Sequence, residues 1–288
     1  MSAIQATHTI TTAPETMLQV LTSTPATVSH RPTLLFIPFW GGSSRTFGAL
    51  AARLSPDFPL ILPTLRGWGA STGPADPAAY KTTDNANDLV AVVTQLRADR
   101  TLLAAGLLQH GLILVGHSMG GKIAQVLAAR SDFGALLKGV VLIAPAPLGK
   151  LEPSAEMREQ QIAAYSSKEL AERALKHVLL GSDVGVDELR LLVEDCVSGS
   201  EFATLAWPKY AIREDYETVA SGTEGLKIIA VVGGLDKIET AEIVEDRVVR
   251  VWKKAGASVP MVLLEGAGHL IPVEAPQRVE EVIRTFTQ

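Results

Sequence analysis

The sequence predicts an α/β protein with a mostly parallel central sheet, helices on both faces and an inserted group of helices. Short apolar runs alternate with longer helical patterns along most of the chain. These runs lack the polar alternation of strands that face water on one side, so we expect both of their faces to be covered. The alternation stops between about residues 147 and 225, where only helical patterns occur.

The predicted strands are rich in β-branched residues and leucine, and they occupy residues 33–39, 59–63, 112–117, 138–145, 227–234 and 260–266. Strands that alternate with helices favour a parallel sheet with right-handed crossovers. Two N-terminal segments, 7–12 and 17–23, alternate apolar and polar residues more clearly. They predict an antiparallel hairpin at the edge of the sheet.

Four helices are predicted between these strands, near residues 84–98, 119–130, 239–255 and 275–286. Four more fall in the region without strands, at 154–165, 167–180, 186–197 and 201–212. We therefore expect residues 1–146 and 226–288 to form the core of the protein. Residues 147–225 are expected to form a helical insertion.

Composition narrows the class of protein. The 288 residues are 47% hydrophobic, and 26 basic against 31 acidic side chains give a net charge of −5. Because the basic residues are scattered, we expect no nucleic-acid partner. One cysteine, Cys196, excludes an internal disulfide and fits a reducing compartment. Without a signal-peptide pattern or an apolar stretch of about 20 residues, a cytoplasmic protein with no membrane partner is expected. The sequence leaves open whether the protein forms a homodimer.

The sequence Gly116-His117-Ser118-Met119-Gly120 matches the G-x-S-x-G pattern of a nucleophile elbow. In such an elbow a serine occupies a sharp turn between a buried strand and a helix, and its backbone is strained. Glycines two residues on either side remove Cβ atoms that would clash there. An ordinary strand-to-helix turn is the alternative, but a predicted strand precedes Ser118 and a predicted helix follows it.

A serine hydroxyl needs a base to become a good nucleophile. Of the six histidines, His269 follows the last predicted strand on a loop of small residues, and we predict it as the base. A surface histidine is the alternative there. His117 is adjacent to Ser118, but neighbouring side chains diverge at a tight turn, so we expect it to pack beside the elbow.

The base in turn needs a carboxylate that holds its tautomer and stabilises the imidazolium. Asp236 lies two residues beyond Gly234, where the preceding strand must have ended. Capping of the next helix is the alternative role for Asp236. The chain order Ser118, Asp236, His269 is the order expected when serine, acid and histidine share this kind of sheet.

Acyl transfer also needs hydrogen-bond donors for the developing oxyanion. One is expected to be the backbone N–H of Met119, directly after the nucleophile. The second should come from the loop after the first predicted parallel strand, and we assign it to Trp40.

These motifs resemble the α/β-hydrolase superfamily, in its branch of small microbial esterases, lactonases and cofactor-free haloperoxidase-like serine hydrolases. The segment 66–72, RGWGAST, is similar to a loop of that family, and the insertion resembles its helical cap. The resemblance assigns the catalytic roles to Ser118, Asp236 and His269. Family members usually carry His-Gly before the oxyanion donor, where this chain has Pro38-Phe39, so the backbone of this loop is expected to differ.

Apolar side chains are expected around these residues, namely Phe39 and Leu270, with Trp207 and Tyr210 from the insertion. A place in the core is an equally good interpretation for the last two. No phosphate loop, dinucleotide motif or metal-ligand spacing occurs, so no cofactor or metal is expected.

The sequence thus favours a serine hydrolase that cleaves small, largely apolar carboxylic esters or lactones through an acyl-enzyme. Perhydrolysis or C–C bond hydrolysis by the same residues is a second hypothesis. A ligand-binding protein that only keeps the fold is a third.

Overall fold

The computed structural model describes residues 4–221 and 223–288, which form one eight-stranded sheet with helices on both faces. Along the chain the strands are β1 Ile4–Ala13, β2 Thr16–Thr24, β3 Thr33–Ile37, β4 Leu60–Pro63, β5 Leu112–His117, β6 Leu137–Ile143, β7 Ile228–Gly233 and β8 Met261–Leu264. Their order across the sheet is β1-β2-β4-β3-β5-β6-β7-β8. From β4 to β8 all pairs are parallel, and β2 is antiparallel to both β1 and β4. The predicted sheet and its N-terminal hairpin are confirmed.

The parallel strands are apolar throughout because successive side chains enter two different cores. In β3, Leu35 and Ile37 belong to one buried cluster, whereas Leu34 and Phe36 belong to the other. All residues of β3, β4 and β5 are buried. Register between β3 and β5 is unbroken from Thr33 to Ile37, so the strands end together at one edge of the sheet.

The helices outside the insertion divide between these two cores. On one face lie α2 Thr82–Ala98, α4 Met119–Ala128, α9 Ala241–Val244 and α10 Arg250–Lys254, and α3 Arg100–Ala104 follows α2. On the other face lie α1 Gly48–Leu54, α11 Ile271–Glu274 and α12 Pro276–Phe286. The helix predicted over 239–255 begins at Ala241, and residues Glu245–Val249 form a π-helical turn between α9 and α10.

Between β6 and β7 the described residues form helices and turns without a strand. The α-helices are α5 Ala155–Ala163, α6 Lys168–Ala174, α7 Val186–Cys196 and α8 Glu201–Lys209. The division into a core of residues 1–146 and 226–288 and an insertion of 147–225 stays a prediction. Residues 1–3 and Gly222, which those boundaries include, lie outside the described residues. Among the described residues, no helix is both long and apolar enough to cross a membrane.

A buried lysine of α4 forms hydrogen bonds with the chain near the start and near the end of this helical segment. Lys122 has no exposed surface, and its Nζ donates to the carbonyl oxygens of Gly149, at 3.3 Å, and Glu214, at 2.5 Å. The ammonium also lies 5.8 Å from the centre of the Tyr216 ring. Burial lowers the pKa of Lys122 to about 8, although nearby carboxylates oppose that shift.

The first turn of α4 touches the backbone of β3. A Cβ atom on Gly120 would lie 2.1 Å from the Ile37 carbonyl oxygen and 2.6 Å from that of Pro38. A Cβ on Gly116 would lie 2.4 Å from the Gly120 carbonyl oxygen. Backbone atoms cannot move aside as a flexible side chain can, so this helix requires glycine at these positions.

We therefore expect Gly120→Ala to lower the free energy of unfolding by about 1–3 kcal/mol or more, because the methyl group overlaps two carbonyl oxygens. The matched control is Gly48→Ala, at a helical position with φ −54° and no atom within 4 Å of its Cβ. There, alanine should be neutral or stabilising by up to about 1 kcal/mol. Urea unfolding measures both. Equal stabilities of the two variants would contradict the close contact.

Candidate active site

Ser118, Asp236 and His269 all follow the carboxyl ends of parallel strands at the same edge of the sheet. Ser118 comes directly after β5, Asp236 follows β7 and His269 follows β8. Ligands of open parallel sheets bind beyond this edge. The fold therefore collects residues that are far apart in sequence into one region.

The backbone of Ser118 has the strained conformation expected of an elbow. Its φ is 55° and its ψ −117°, which L-residues with a Cβ rarely adopt and which costs about 1–3 kcal/mol. The Ser118 N–H donates to the Ile143 carbonyl oxygen, and the Ser118 carbonyl accepts from Gly121, Lys122 and Ala146. Ser118 is partly exposed while both sequence neighbours are buried. These contacts hold the turn in place.

His269 and Asp236 form a buried hydrogen-bonded pair. The distance from His269 Nδ1 to Asp236 Oδ2 is 2.8 Å, and the two side chains are 2% and 0% exposed. Burial alone would raise the pKa of the Asp236 carboxyl, but the nearby His269 and the hydrogen bonds that Asp236 accepts lower it below its usual value. Because Nδ1 donates to the carboxylate, Nε2 is the nitrogen of a neutral ring that accepts a proton.

The second oxygen of Asp236 binds the chain that follows it. Oδ1 accepts from the N–H groups of Ile238, at 2.8 Å, and Glu239, at 3.1 Å. The next helix, α9, has Thr240 as its N-cap, and the Thr240 hydroxyl accepts from the Ile243 N–H. The alternative that Asp236 caps this helix is therefore wrong, and Asp236 orients its own turn as well as His269.

His117 is fully buried beside this pair. Its Nε2 is 2.7 Å from the His269 carbonyl oxygen, so Nε2 carries the proton and donates. The other ring nitrogen, Nδ1, is buried without a hydrogen-bond partner among the described residues. Burial, followed by repulsion from His269, lowers the pKa of His117 to about 3. A histidine of that pKa is a poor proton acceptor near neutral pH.

The Ser118 hydroxyl forms no hydrogen bond within residues 4–221 and 223–288. The imidazole of His269 lies beside that of His117, the residue before Ser118, with 5.4 Å between the two ring centres. Catalytic hydrogen bonds are often long in ligand-free structures and tighten when substrate binds.

Trp40, whose backbone N–H is the expected second oxyanion donor, lies in the loop that follows β3. Phe39, at the position where the resemblance leads us to expect glycine, is not among the residues with positive φ, whereas Gly41 has a φ of 98°. The left-handed residue of this loop is thus Gly41. A Cβ on Gly41 would lie 2.5 Å from the Tyr165 ring, so both its conformation and its surroundings require glycine.

Sequence reasoning missed the contacts that brace this loop. The Tyr165 hydroxyl donates to the Trp40 carbonyl oxygen at 3.1 Å, and the two rings stack with 4.3 Å between their centres. Burial raises the pKa of Tyr165 well above its usual value, which keeps the hydroxyl protonated. Asp195 of α7 accepts from Ser43 Oγ at 2.6 Å and from Arg45 Nε at 2.9 Å. No local sequence pattern predicts these pairs, because each joins residues more than 100 positions apart.

The predicted substrate-binding side chains differ in accessibility. Leu270 is 0% and Phe39 3% exposed, and Phe39 packs on the His117 ring at 5.2 Å between ring centres. Trp207 is 7% exposed, whereas Tyr210 is 47% exposed at the end of α8. A ligand would reach Leu270 only if other side chains moved. Among the described residues, no group of three or more His, Cys, Asp or Glu side chains is arranged to hold a metal ion.

A buried carboxyl lies next to Asp236. Glu239 is 3% exposed, and its Oε2 has no hydrogen-bond partner in the described structure. Burial, with repulsion from Asp236, raises the pKa of Glu239 well above its ordinary value. The folded protein therefore keeps this carboxyl protonated at a pH where the unfolded chain has released the proton.

A raised pKa in the folded state predicts that wild-type stability falls as the pH rises above the unfolded value of about 4.3. We expect Glu239→Gln, which cannot ionise, to lack this loss. Its stability advantage should grow with pH by at most about 1.4 kcal/mol per unit until the folded pKa is reached. Urea unfolding at several pH values measures it. Glu242→Gln, at an exposed position of α9, is the matched control and should change stability equally at every pH. A constant difference for Glu239→Gln would contradict the raised pKa.

The fold of the whole chain is similar to that of several solved enzyme structures. An esterase from Exiguobacterium antarcticum is similar over 98% of this chain and 99% of its own, with a TM-score of 0.80 and 16% identity. A bromoperoxidase from Bacillus anthracis aligns over 98% and 99%, with a TM-score of 0.78 and 15% identity. The enol-lactonase from Burkholderia xenovorans LB400 is similar over 95% of this chain and 98% of its own, with a TM-score of 0.74 and 18% identity. At such identities the likeness concerns the fold.

A search of curated proteins finds no significant match. The sequence model described as the alpha/beta hydrolase family matches residues 34–282, which includes all but the first residue of β3, strands β4 to β8 and every residue of the candidate site. The chain belongs to the alpha/beta hydrolase family.

Proposed function

We propose that this protein is a serine hydrolase that cleaves carboxylic esters or lactones of small, largely apolar compounds. The observation that carries the proposal is the buried His269–Asp236 hydrogen bond, at 2.8 Å, at the same sheet edge as the strained Ser118. An oriented imidazole and a hydroxyl on a sharp turn are the parts that acyl transfer through a serine requires.

In the proposed mechanism the Ser118 oxygen attacks the carbonyl carbon while His269 Nε2 takes the hydroxyl proton. Asp236 accepts the Nδ1–H throughout and stabilises the imidazolium that forms. The backbone N–H groups of Met119 and Trp40 hold the oxyanion, and loss of one such donor typically costs about 3 kcal/mol. His269 then returns the proton to the leaving alcohol. Water, activated by the same imidazole, releases the acid and restores Ser118.

The helical segment of residues 147–225 acts as a cap over this site in our proposal. Tyr165 supports it, because its ring covers Trp40 and Gly41 of the oxyanion loop. The aromatic surroundings of Trp40 favour an apolar substrate over an anionic one. Perhydrolysis or C–C bond hydrolysis by the same residues is the alternative, so peroxide and β-diketones belong in the substrate screen.

We expect Ser118→Ala to lower kcat for p-nitrophenyl esters by at least about 10⁴-fold, because the attacking oxygen is gone. Labelling by a fluorophosphonate should disappear as well, and the thermal midpoint should stay close to that of the wild type, because alanine keeps the Cβ and the backbone conformation of this position. The control is Ser131→Ala at an exposed position, which should match the wild type in all three measurements.

Esters of increasing acyl length, lactones, peroxide and β-diketones then define the substrate class. Comparable turnover by Ser118→Ala would overturn the assignment of the nucleophile. If the wild type binds esters but neither turns them over nor reacts with the fluorophosphonate, the protein is a ligand-binding member of the family.

A further inference from the structure

The carboxylate of Glu274, at the end of α11, accepts hydrogen bonds from two separate loops. Oε2 accepts from the N–H groups of Gly268, at 3.0 Å, Gly181, at 2.8 Å, and Ser182, at 3.0 Å, and from the Ser182 hydroxyl at 3.1 Å. Oε1 accepts from the Leu270 N–H at 3.1 Å. Hydrogen bonds to an ionised acceptor are stronger than those between neutral groups.

Two of these donors flank His269. The Gly268 and Leu270 N–H groups bind Glu274, and the His269 N–H between them donates to the Leu179 carbonyl oxygen at 2.7 Å. The N–H groups of three consecutive residues, 268 to 270, are therefore all hydrogen-bonded. Glu274 accepts two of these bonds, and the helical segment between β6 and β7 accepts the third.

The other donors, Gly181 and Ser182, belong to that helical segment. Its chain crosses the His269 loop at backbone contact, since a Cβ on Gly268 would lie 2.2 Å from the Gly181 nitrogen. N–H groups from both loops point into the space between them. Without a carboxylate there, the Gly181 N–H would have no acceptor in a partly buried position.

We propose that Glu274 is a positioning residue, which holds the His269 loop against the helical segment so that the imidazole keeps its hydrogen bond to Asp236. This inference rests on the proposed function, because it gives His269 its catalytic position. Glu274 touches no reacting atom in this proposal and acts only through the backbone on either side of His269.

The test compares Glu274→Gln with Glu281→Gln. The first keeps the shape but removes the charge, and its NH₂ group cannot accept from the N–H groups that face it. Glu281 pairs with Arg278 on the exposed surface of α12, and its loss should leave kcat and KM unchanged. We expect Glu274→Gln to lower kcat for a p-nitrophenyl ester roughly 10- to 100-fold with little change in KM, as expected for a misplaced catalytic group.

A second readout does not depend on turnover. The Nδ1 proton of a histidine that donates to a buried carboxylate resonates far downfield in the proton NMR spectrum, and it should report the His269–Asp236 bond. In Glu274→Gln we expect this resonance to broaden or vanish, while in Glu281→Gln it should persist.

Wild-type kcat together with an intact downfield resonance in Glu274→Gln would overturn the inference. If Glu274→Gln does not fold, Ser182→Ala decides, since it removes only one of the donors and should lower kcat a few-fold. Unchanged kcat in Ser182→Ala would then overturn it. A wild type without esterase activity would instead count against the proposed function, and the NMR comparison would still test the positioning by Glu274.

Discussion

The contact between the first turn of α4 and the end of β3 fixes where the Ser118 hydroxyl can lie. Backbone atoms meet there without side chains between them, which requires glycine at position 120, and glycine at position 116 leaves room for the Gly120 carbonyl oxygen. The helix thereby starts directly above the sheet, and the chain must turn within one residue, at a positive φ. The strain at Ser118 is sustained by the surrounding packing, as is common where a protein holds a reactive group in a fixed position.

Other parts of the site are held by the segment between β6 and β7. Tyr165 braces the loop of Trp40, Asp195 binds the turn after that loop, and Leu179 accepts from His269. Hydrogen-bond donors stabilise developing charge best when they are in place before the reaction, because no energy is then spent on reorganising them. Under the proposed function, these contacts let the helical segment hold the Trp40 loop and the His269 loop in place before substrate binds.

Much of this architecture could be predicted from sequence because it depends on local patterns. Continuous apolar runs indicated the parallel strands, and the G-x-S-x-G pattern indicated the sharp turn at Ser118. Contacts such as Tyr165 with Trp40 could not be predicted, since they depend on how distant segments meet. Burial was also difficult to foresee: Leu270 looked available to a ligand in sequence, yet the structure covers it completely. The dual use of Asp236, with one oxygen for His269 and one for its own turn, likewise needed coordinates.

Lys122 has a consequence for how the helical segment of this protein can be altered. Its ammonium holds the carbonyl groups of Gly149 and Glu214, where the chain leaves the sheet after β6 and where it returns towards β7. The exit and the re-entry are thus anchored to the helix that follows Ser118, independently of what lies between them. Segments of different length and sequence could be exchanged between these two anchors by design, provided that they restore the contacts that Tyr165, Leu179 and Asp195 make with the loops at the edge of the sheet.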